Sequence, residues 1–143
     1  MIDFKKGYII EKCDKFEPLK EIQNCLCKLL HKHFNFYHDD PFTSLNQLHE
    51  FSPNLNATQI NEKRVSLIEE FNNEIDCSEM IFNAFETIIT QFLGPDILAQ
   101  KKSNIVIQMP NDPNPSEIHR DAPSHSPYEI VLWVPMVDCF KTK

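Results

Sequence analysis

The stretch YEIVLWVPMV, Tyr128–Val137, decides the fold class that this sequence predicts. It is rich in β-branched and aromatic residues, which favour an extended backbone. A second run of this kind, SNIVIQMP at Ser103–Pro110, precedes it across a proline-rich loop. The last third of the chain is therefore predicted to contain two strands joined by that loop.

The sequence before these strands has the spacing of helices. Apolar residues recur at helical intervals from Phe16 to His33 and from Thr58 to Asn73. A third helix is predicted to begin at Asp76, which can cap it, and to end at Gly94–Pro95. The polar stretch Asn35–Asn56, which contains two prolines, is predicted to be irregular.

One more strand is predicted near the start, at Gly7–Lys12. Helices followed by strands give the α+β class, in a single domain over residues 1–143 with a helical region at about 1–98 and the start of a β-core at about 103–143. Three strands are few, because sheets usually have about 4–6. We therefore expect the sheet to be incomplete.

The amino-acid composition argues against several classes of function. The net charge of −7 and the pI near 5.3 argue against general binding of nucleic acid or of an anionic membrane. No apolar run approaches the ~18 residues of a membrane-spanning helix. The five cysteines form no C-x-x-C pair, so we expect reduced thiols and a cytoplasmic location.

The candidate site is His119 and Asp121, two residues apart just before the last predicted strand. In an extended segment these two side chains project to the same face. An imidazole with a carboxylate suits Fe(II), Mn(II) or Zn(II), and two His with one carboxylate is the arrangement of non-haem Fe(II) oxygenases. The pair predicts part of a metal site.

H-x-D alone is unspecific, because the chain contains a second example, His38 and Asp40. That pair lies in a predicted loop beside Pro41 with no strand after it, and we interpret it as solvated surface. The pair at His119 and Asp121 lies between two predicted strands, which could hold ligands in place. We therefore prefer His119 and Asp121 as the metal site.

The segment Asn104–Lys143 resembles the Fe(II)/2-oxoglutarate-dependent oxygenases of the phytanoyl-CoA dioxygenase-like branch. It is most similar to the subgroup encoded in bacterial carbohydrate-biosynthesis clusters. The matching elements are a strand ending I-Q-x-P (Ile107–Pro110), the H-x-D triplet, and S-P-(F/Y)-E-x-V-L-W-x-P-L-V-D-C (Ser126–Cys139).

The resemblance implies a double-stranded β-helix, or jelly roll, with helices packed on one sheet. It implies Fe(II) as cofactor with 2-oxoglutarate and O₂ as co-substrates, and a hydroxylation coupled to decarboxylation of the oxoacid to succinate. His119 and Asp121 would be iron ligands, and Gln108 would contact the co-substrate or substrate. Trp133 is expected in the core or barrel wall, while Glu129 could face the pocket or point outward.

Two family features are missing. The family has a second ligating His tens of residues after H-x-D and then an Arg that binds 2-oxoglutarate. Here only His125 follows Asp121, and we interpret it as a polar loop residue; no Arg follows Arg120. We therefore expect an N-terminal fragment of an oxygenase, inactive by itself. The substrate class implied by the resemblance is a sugar, a nucleotide-sugar or another small polar metabolite.

Two other functions remain open. The chain could be a non-catalytic jelly-roll remnant or a protein-interaction module that binds through an exposed strand edge. It could also be a cupin-like sugar isomerase or epimerase, which would need no 2-oxoglutarate. The helical first half and the order of I-Q-x-P before H-x-D argue against the cupin-like hypothesis. The oligomeric state does not follow from the sequence.

Overall fold

The computed structural model describes residues 8–110 and 129–138. Within these ranges the regular secondary structure is helical. The helices are α1 (Glu17–Phe34), α2 (Pro41–Asn46), α3 (Leu48–Phe51), α4 (Ala57–Glu74) and α5 (Cys77–Leu93). The three long helices were predicted from apolar spacing, and that prediction is confirmed.

Helix α1 lies at the centre of the packing, in contact with α2, α4 and α5. Its apolar face is buried because leucine and isoleucine recur every three or four residues. Helix α4 runs antiparallel to α1, since Lys28 pairs with Glu74 and Lys32, one turn later, pairs with Glu70, one turn earlier. The buried core consists mainly of Ile22, Leu26, Leu29, Leu30, Phe34, Leu67, Phe71 and Ala84.

Side-chain caps fix where α4 and α5 begin. The Asn56 side chain accepts a hydrogen bond from the Gln59 N–H, and the Gln59 side chain accepts one from the Asn56 N–H, both at 3.0 Å. Asp76 accepts from the Glu79 N–H at 3.1 Å, as predicted. Helix α5 ends at Gly94, whose φ of +81° is a conformation that other residues rarely adopt.

Helix α5 is kinked at Phe85, where φ is −130° and ψ is 25°. The Ala84 carbonyl accepts a hydrogen bond from the Asp14 N–H at 2.7 Å. The Asp14 carboxylate in turn accepts from the Thr87 N–H at 2.8 Å. Asp14, in the segment before α1, thus pairs with one backbone C=O and one backbone N–H at the kink.

The predicted α+β class with an incomplete jelly roll is wrong for the part of the chain that the structure describes. Residues 103–110 and 129–138 form neither helix nor strand. Some residues of these segments, such as Ile107 and Met136, pack on the helical core, while the residues next to each of them in the sequence are exposed. A strand requires a hydrogen-bonded neighbour, and these segments lie on helices instead.

Two smaller predictions also fail. Tyr8–Lys12, the described part of the predicted first strand, is exposed and forms no strand. The stretch Asn35–Asn56 was predicted to be irregular, yet it contains α2 and α3. Across residues 8–110 and 129–138, no helix is both long enough and apolar enough to cross a lipid bilayer.

Candidate functional site

The two predicted metal ligands, His119 and Asp121, lie outside the described residues, as does His125. The nearest described residues on either side of them belong to two segments without helix or strand. We call residues 103–110 the first segment and residues 129–138 the second segment.

The first segment is held against α4 by side chains of that helix. The Asn72 amide donates to the Ser103 carbonyl at 3.0 Å and accepts from the Ser103 N–H at 2.7 Å. The Arg64 guanidinium donates to the Ile105 carbonyl at 3.0 Å. Ile105, Ile107 and Met109 pack against the helical core. The start and the inner face of the segment are therefore both anchored.

Gln108 is the one predicted cofactor-binding residue in the described part of the chain. It is exposed, and it alternates with Ile107 and Met109, which pack inward. Its side chain therefore lies on the face that points away from the helices.

The second segment is held by α1 and α2. Gln23 donates its side-chain N–H to the Met136 carbonyl at 3.2 Å, and the Asp138 N–H donates to the Asn46 side chain at 3.1 Å. Val134 and Met136 pack on the same helical core as the first segment. The residues on either side of the His119–Asp121 region are thus fixed to one scaffold.

We call the exposed residues of both segments, taken together, the outer face. Trp133 is 72% exposed, so the expectation that it lies in a core is wrong, and Glu129 is exposed as well. Several apolar side chains accompany Trp133 on exposed positions: Val106, Ile130, Val131 and Leu132. Exposed apolar groups in this density are typical of a surface that another chain covers.

The second H-x-D pair, His38 and Asp40, has a structural role. The Asp40 carboxylate accepts the Thr43 N–H at 2.7 Å and so caps α2. The hydrogen bonds from Thr43 lower the pKa of Asp40 below its ordinary value. His38 Nδ1 accepts the Asp40 N–H at 3.1 Å. Within the described ranges, no group of three or more His, Cys, Asp or Glu side chains could hold a metal ion.

A polar cluster that the sequence did not predict joins α1 to α2. His31 Nε2 lies 2.8 Å from Ser44 Oγ and 3.4 Å from Cys27 Sγ. Ser44 Oγ also donates to the Asp40 carbonyl at 3.0 Å. Burial, together with the nearby His38, lowers the pKa of His31 below its usual 6.5, so the neutral imidazole is favoured.

The thiol and the hydroxyl of this cluster are too deeply buried for a substrate to reach them. A thiol or hydroxyl beside an imidazole can serve as a nucleophile, but Cys27 is only 5% exposed and Ser44 is fully buried. The cluster therefore acts in packing rather than on a substrate. The sequence signal was weak, because Ser44 lies in the stretch predicted to be irregular.

No protein-family model matches the chain, and neither a curated protein nor a solved structure matches it. The family of the chain is therefore not identified by comparison. Any assignment of function depends on the residues themselves.

Proposed function

We propose that the chain contributes metal ligands to an Fe(II)/2-oxoglutarate-dependent oxygenase that hydroxylates a sugar, a nucleotide-sugar or another small polar metabolite. The observation that carries the proposal is the order of three sequence elements. These are Ile107–Pro110 with the pattern I-Q-x-P, then His119 and Asp121, then Ser126–Cys139.

Each named residue has a distinct role in this proposal. His119 would bind the iron through its neutral imidazole, and Asp121 would bind it through its carboxylate. Gln108 would donate or accept a hydrogen bond to 2-oxoglutarate or the substrate. When bound, the iron with 2-oxoglutarate and O₂ supplies the oxidising chemistry.

The anchoring of the two segments supports the proposal. Metal ligands need a rigid frame, because a small displacement changes the coordination geometry. The first segment is tied to α4 through Asn72, and the second is tied to α1 through Gln23. Described residues on both sides of the proposed ligands, Ser103 and Met136, are therefore tied to the helical core.

The proposal also sets a requirement. A facial triad needs one more His, and the distal carboxylate of 2-oxoglutarate needs a basic partner. After Asp121 the sequence has only His125 as a histidine and only Lys141 and Lys143 as basic residues. The proposed complete site takes its third ligand and its basic residue from outside these 143 residues, so this chain alone is expected to bind iron weakly without turnover.

The test is metal binding under anaerobic conditions, with Mn(II) as an EPR-visible substitute for Fe(II). We expect H119A and D121A each to reduce Mn(II) binding by at least about ten-fold, since each removes one of two ligands. The matched controls are H38A and D40A at the second H-x-D pair, which should leave binding unchanged. Equal Mn(II) binding by wild type, H119A and D121A would refute the proposal.

The cellular location of the protein is part of the same proposal. We place the protein in the cytoplasm, where thiols stay reduced. Cys13, Cys25, Cys27 and Cys77 are free thiols in the described part of the chain, which supports this placement.

A second candidate function is a protein-interaction module. The observation that favours it is the outer face, where Trp133 and Val106 are 72% and 68% exposed. A group of exposed apolar side chains is typical of a surface that binds another protein chain. This function requires no metal.

A further inference from the structure

The kink in α5 is not explained by the sequence of that helix. Residues 77–93 contain neither proline nor glycine, the residues that often bend a helix. A helix also bends where a group from elsewhere in the chain enters its ladder of hydrogen bonds. The kink at Phe85 is of this second kind, because Asp14 bonds to the α5 backbone on both sides of it.

Two backbone groups of α5 bond to Asp14 at the kink. In a straight helix the Thr87 N–H would donate to the Asn83 carbonyl, and the Ala84 carbonyl would accept from the N–H four residues later. Here the Thr87 N–H donates to the Asp14 carboxylate at 2.8 Å. The Ala84 carbonyl accepts the Asp14 N–H at 2.7 Å. One residue thus offers both groups an alternative to the helical bond.

Asp14 belongs to a short piece of chain, residues 13–15, which we call the strap. Cys13 packs on the helical core. The Lys15 N–H lies 3.4 Å from the Ala84 carbonyl, which is long for a hydrogen bond. The Lys15 ammonium lies 3.5 Å from the Glu86 carboxylate, but both side chains are more than half exposed, so this ion pair adds little. Asp14 therefore makes the main bonds between the strap and α5.

The second half of α5 has little else to hold it in its present direction. Ile89 is the one buried residue among residues 86–93. In the first half Cys77 and Ala84 are buried, and Met80 and Ile81 pack on the core. The first half is therefore fixed by packing, while the direction of the second half depends on its bonds to the strap.

We propose that α5 is a two-state helix, kinked while the strap is bound and continuous when the strap leaves. In the continuous state the Thr87 N–H and the Ala84 carbonyl bond within the helix. Phe85 then takes ordinary helical angles in place of a φ of −130° and a ψ of 25°. The proposal is independent of the proposed metal site and of the outer face.

The change of state reaches a cleft beside α5. One wall of this cleft includes Ser78 and Phe82 in the first half of the helix, and the other includes Pro95 and Ile97 in the chain that follows it. The Ser78 hydroxyl donates to the Gln100 carbonyl, so that end of the cleft is tied to the first half. Pro95 comes directly after the end of α5 and moves with the second half. Detachment of the strap therefore alters the shape of the cleft.

The first experiment is NMR of the full chain with and without D14P, which removes both the N–H and the carboxylate. The coupling between the N–H and Hα protons of Phe85 reports φ. It should be large in the wild type, where φ is −130°, and fall to the small helical value in D14P. The amides of residues 87–93 should stay protected from exchange, because the helix continues through them. D14A is not a substitute, since it keeps the N–H bond to Ala84 and with it the kink.

Two variants are the controls. E11P places a proline at another acid of the same segment, outside the strap, and D14N keeps the N–H and an oxygen acceptor. Both should keep the wild-type coupling at Phe85, and far-UV circular dichroism checks that the helices are kept. A large coupling at Phe85 in D14P would overturn the proposal. So would free exchange of residues 87–93 in D14P, because the second half would then have unfolded instead of continuing the helix.

The second experiment needs no substitution. In wild-type hydrogen exchange the Asp14 N–H is released whenever the strap leaves, whereas the Thr87 N–H bonds again within the continuous helix. Thr87 should therefore be protected at least about ten-fold more strongly than Asp14, because its exchange needs a further opening. Equal protection of these two amides would mean that the second half unfolds together with the strap, and it would overturn the proposal.

Discussion

The side chain of Asn72 forms two hydrogen bonds with the backbone of Ser103, donating to its carbonyl at 3.0 Å and accepting its N–H at 2.7 Å. This is the pair of bonds that a residue of a neighbouring antiparallel strand would make. A helix side chain thus takes the place of a strand at the start of the first segment. The backbone of Ser103 is thus hydrogen-bonded without belonging to a sheet.

We predict that N72A lowers the free energy of unfolding by about 1–3 kcal/mol, because it leaves two backbone groups of Ser103 without partners. Urea unfolding measures the change. The control is N73A, an exposed neighbour on the same helix, which should change stability by less than about 0.5 kcal/mol. Equal effects of N72A and N73A would mean that the amide does not hold the first segment.

We predict that D14A destabilises the protein by about 1 kcal/mol, the usual cost of losing a side-chain cap. Its carboxylate accepts the Thr87 N–H at the kink of α5, so the second half of that helix should fray first. Hydrogen exchange at residues 87–93 tests this. E11A, which also removes an exposed acid before α1, should leave those residues unchanged.

We predict that stability falls as the pH is lowered through about 6.5, and that His31 contributes to the loss. The pKa of His31 is lowered in the folded protein by burial and by His38. The unfolded chain therefore binds more protons near and below pH 6.5, so the contribution of His31 is complete above that pH and is lost as the pH falls toward its lower folded pKa.

The measurement for His31 is urea unfolding between pH 5 and pH 8 for wild type and for H31Q, which cannot titrate in this range. The wild-type curve should have the steeper slope below pH 6.5. H49Q changes an exposed histidine and should keep the wild-type slope. An H31Q curve parallel to wild type would exclude His31 as the titrating group.

We predict that Cys25 reacts slowly with iodoacetamide at pH 8. Burial and the neighbouring Glu74 raise the pKa of its thiol to about 11, so little thiolate is present. E74Q removes the negative charge of the side chain that lies 3.7 Å from the thiol, which should lower the pKa and speed alkylation. E69Q, which changes an exposed acid on the same helix, should leave the alkylation rate of Cys25 unchanged. Peptide mass spectrometry gives the rate at Cys25 itself.

The three long helices could be predicted because their signals are local. Apolar spacing fixes the buried face of α1, and a cap such as Asp76 marks the start of α5. Helix α2 was missed because PFTSLN has no apolar period; its start depends on the Asp40 cap and its position on the contact between Ser44 and His31.

The sheet could not be predicted correctly for a different reason. The composition of both segments favours a strand, but a strand also needs a pairing partner, and pairing depends on residues far away in the chain. Here the side chains of Asn72 and Arg64 form hydrogen bonds with backbone groups of the first segment. Of the candidate site, Gln108 is found on the outer face, while His119 and Asp121 remain predictions.

The central position of α1 has a consequence during protein synthesis. This helix leaves the ribosome before α4 and α5, which cover much of its apolar face. Until they are made, residues such as Ile22 and Leu29, each 1% exposed in the finished fold, are in water. The nascent chain therefore carries a bare amphipathic helix until α4 and α5 have been made, and exposed apolar surface of this kind is bound by chaperones.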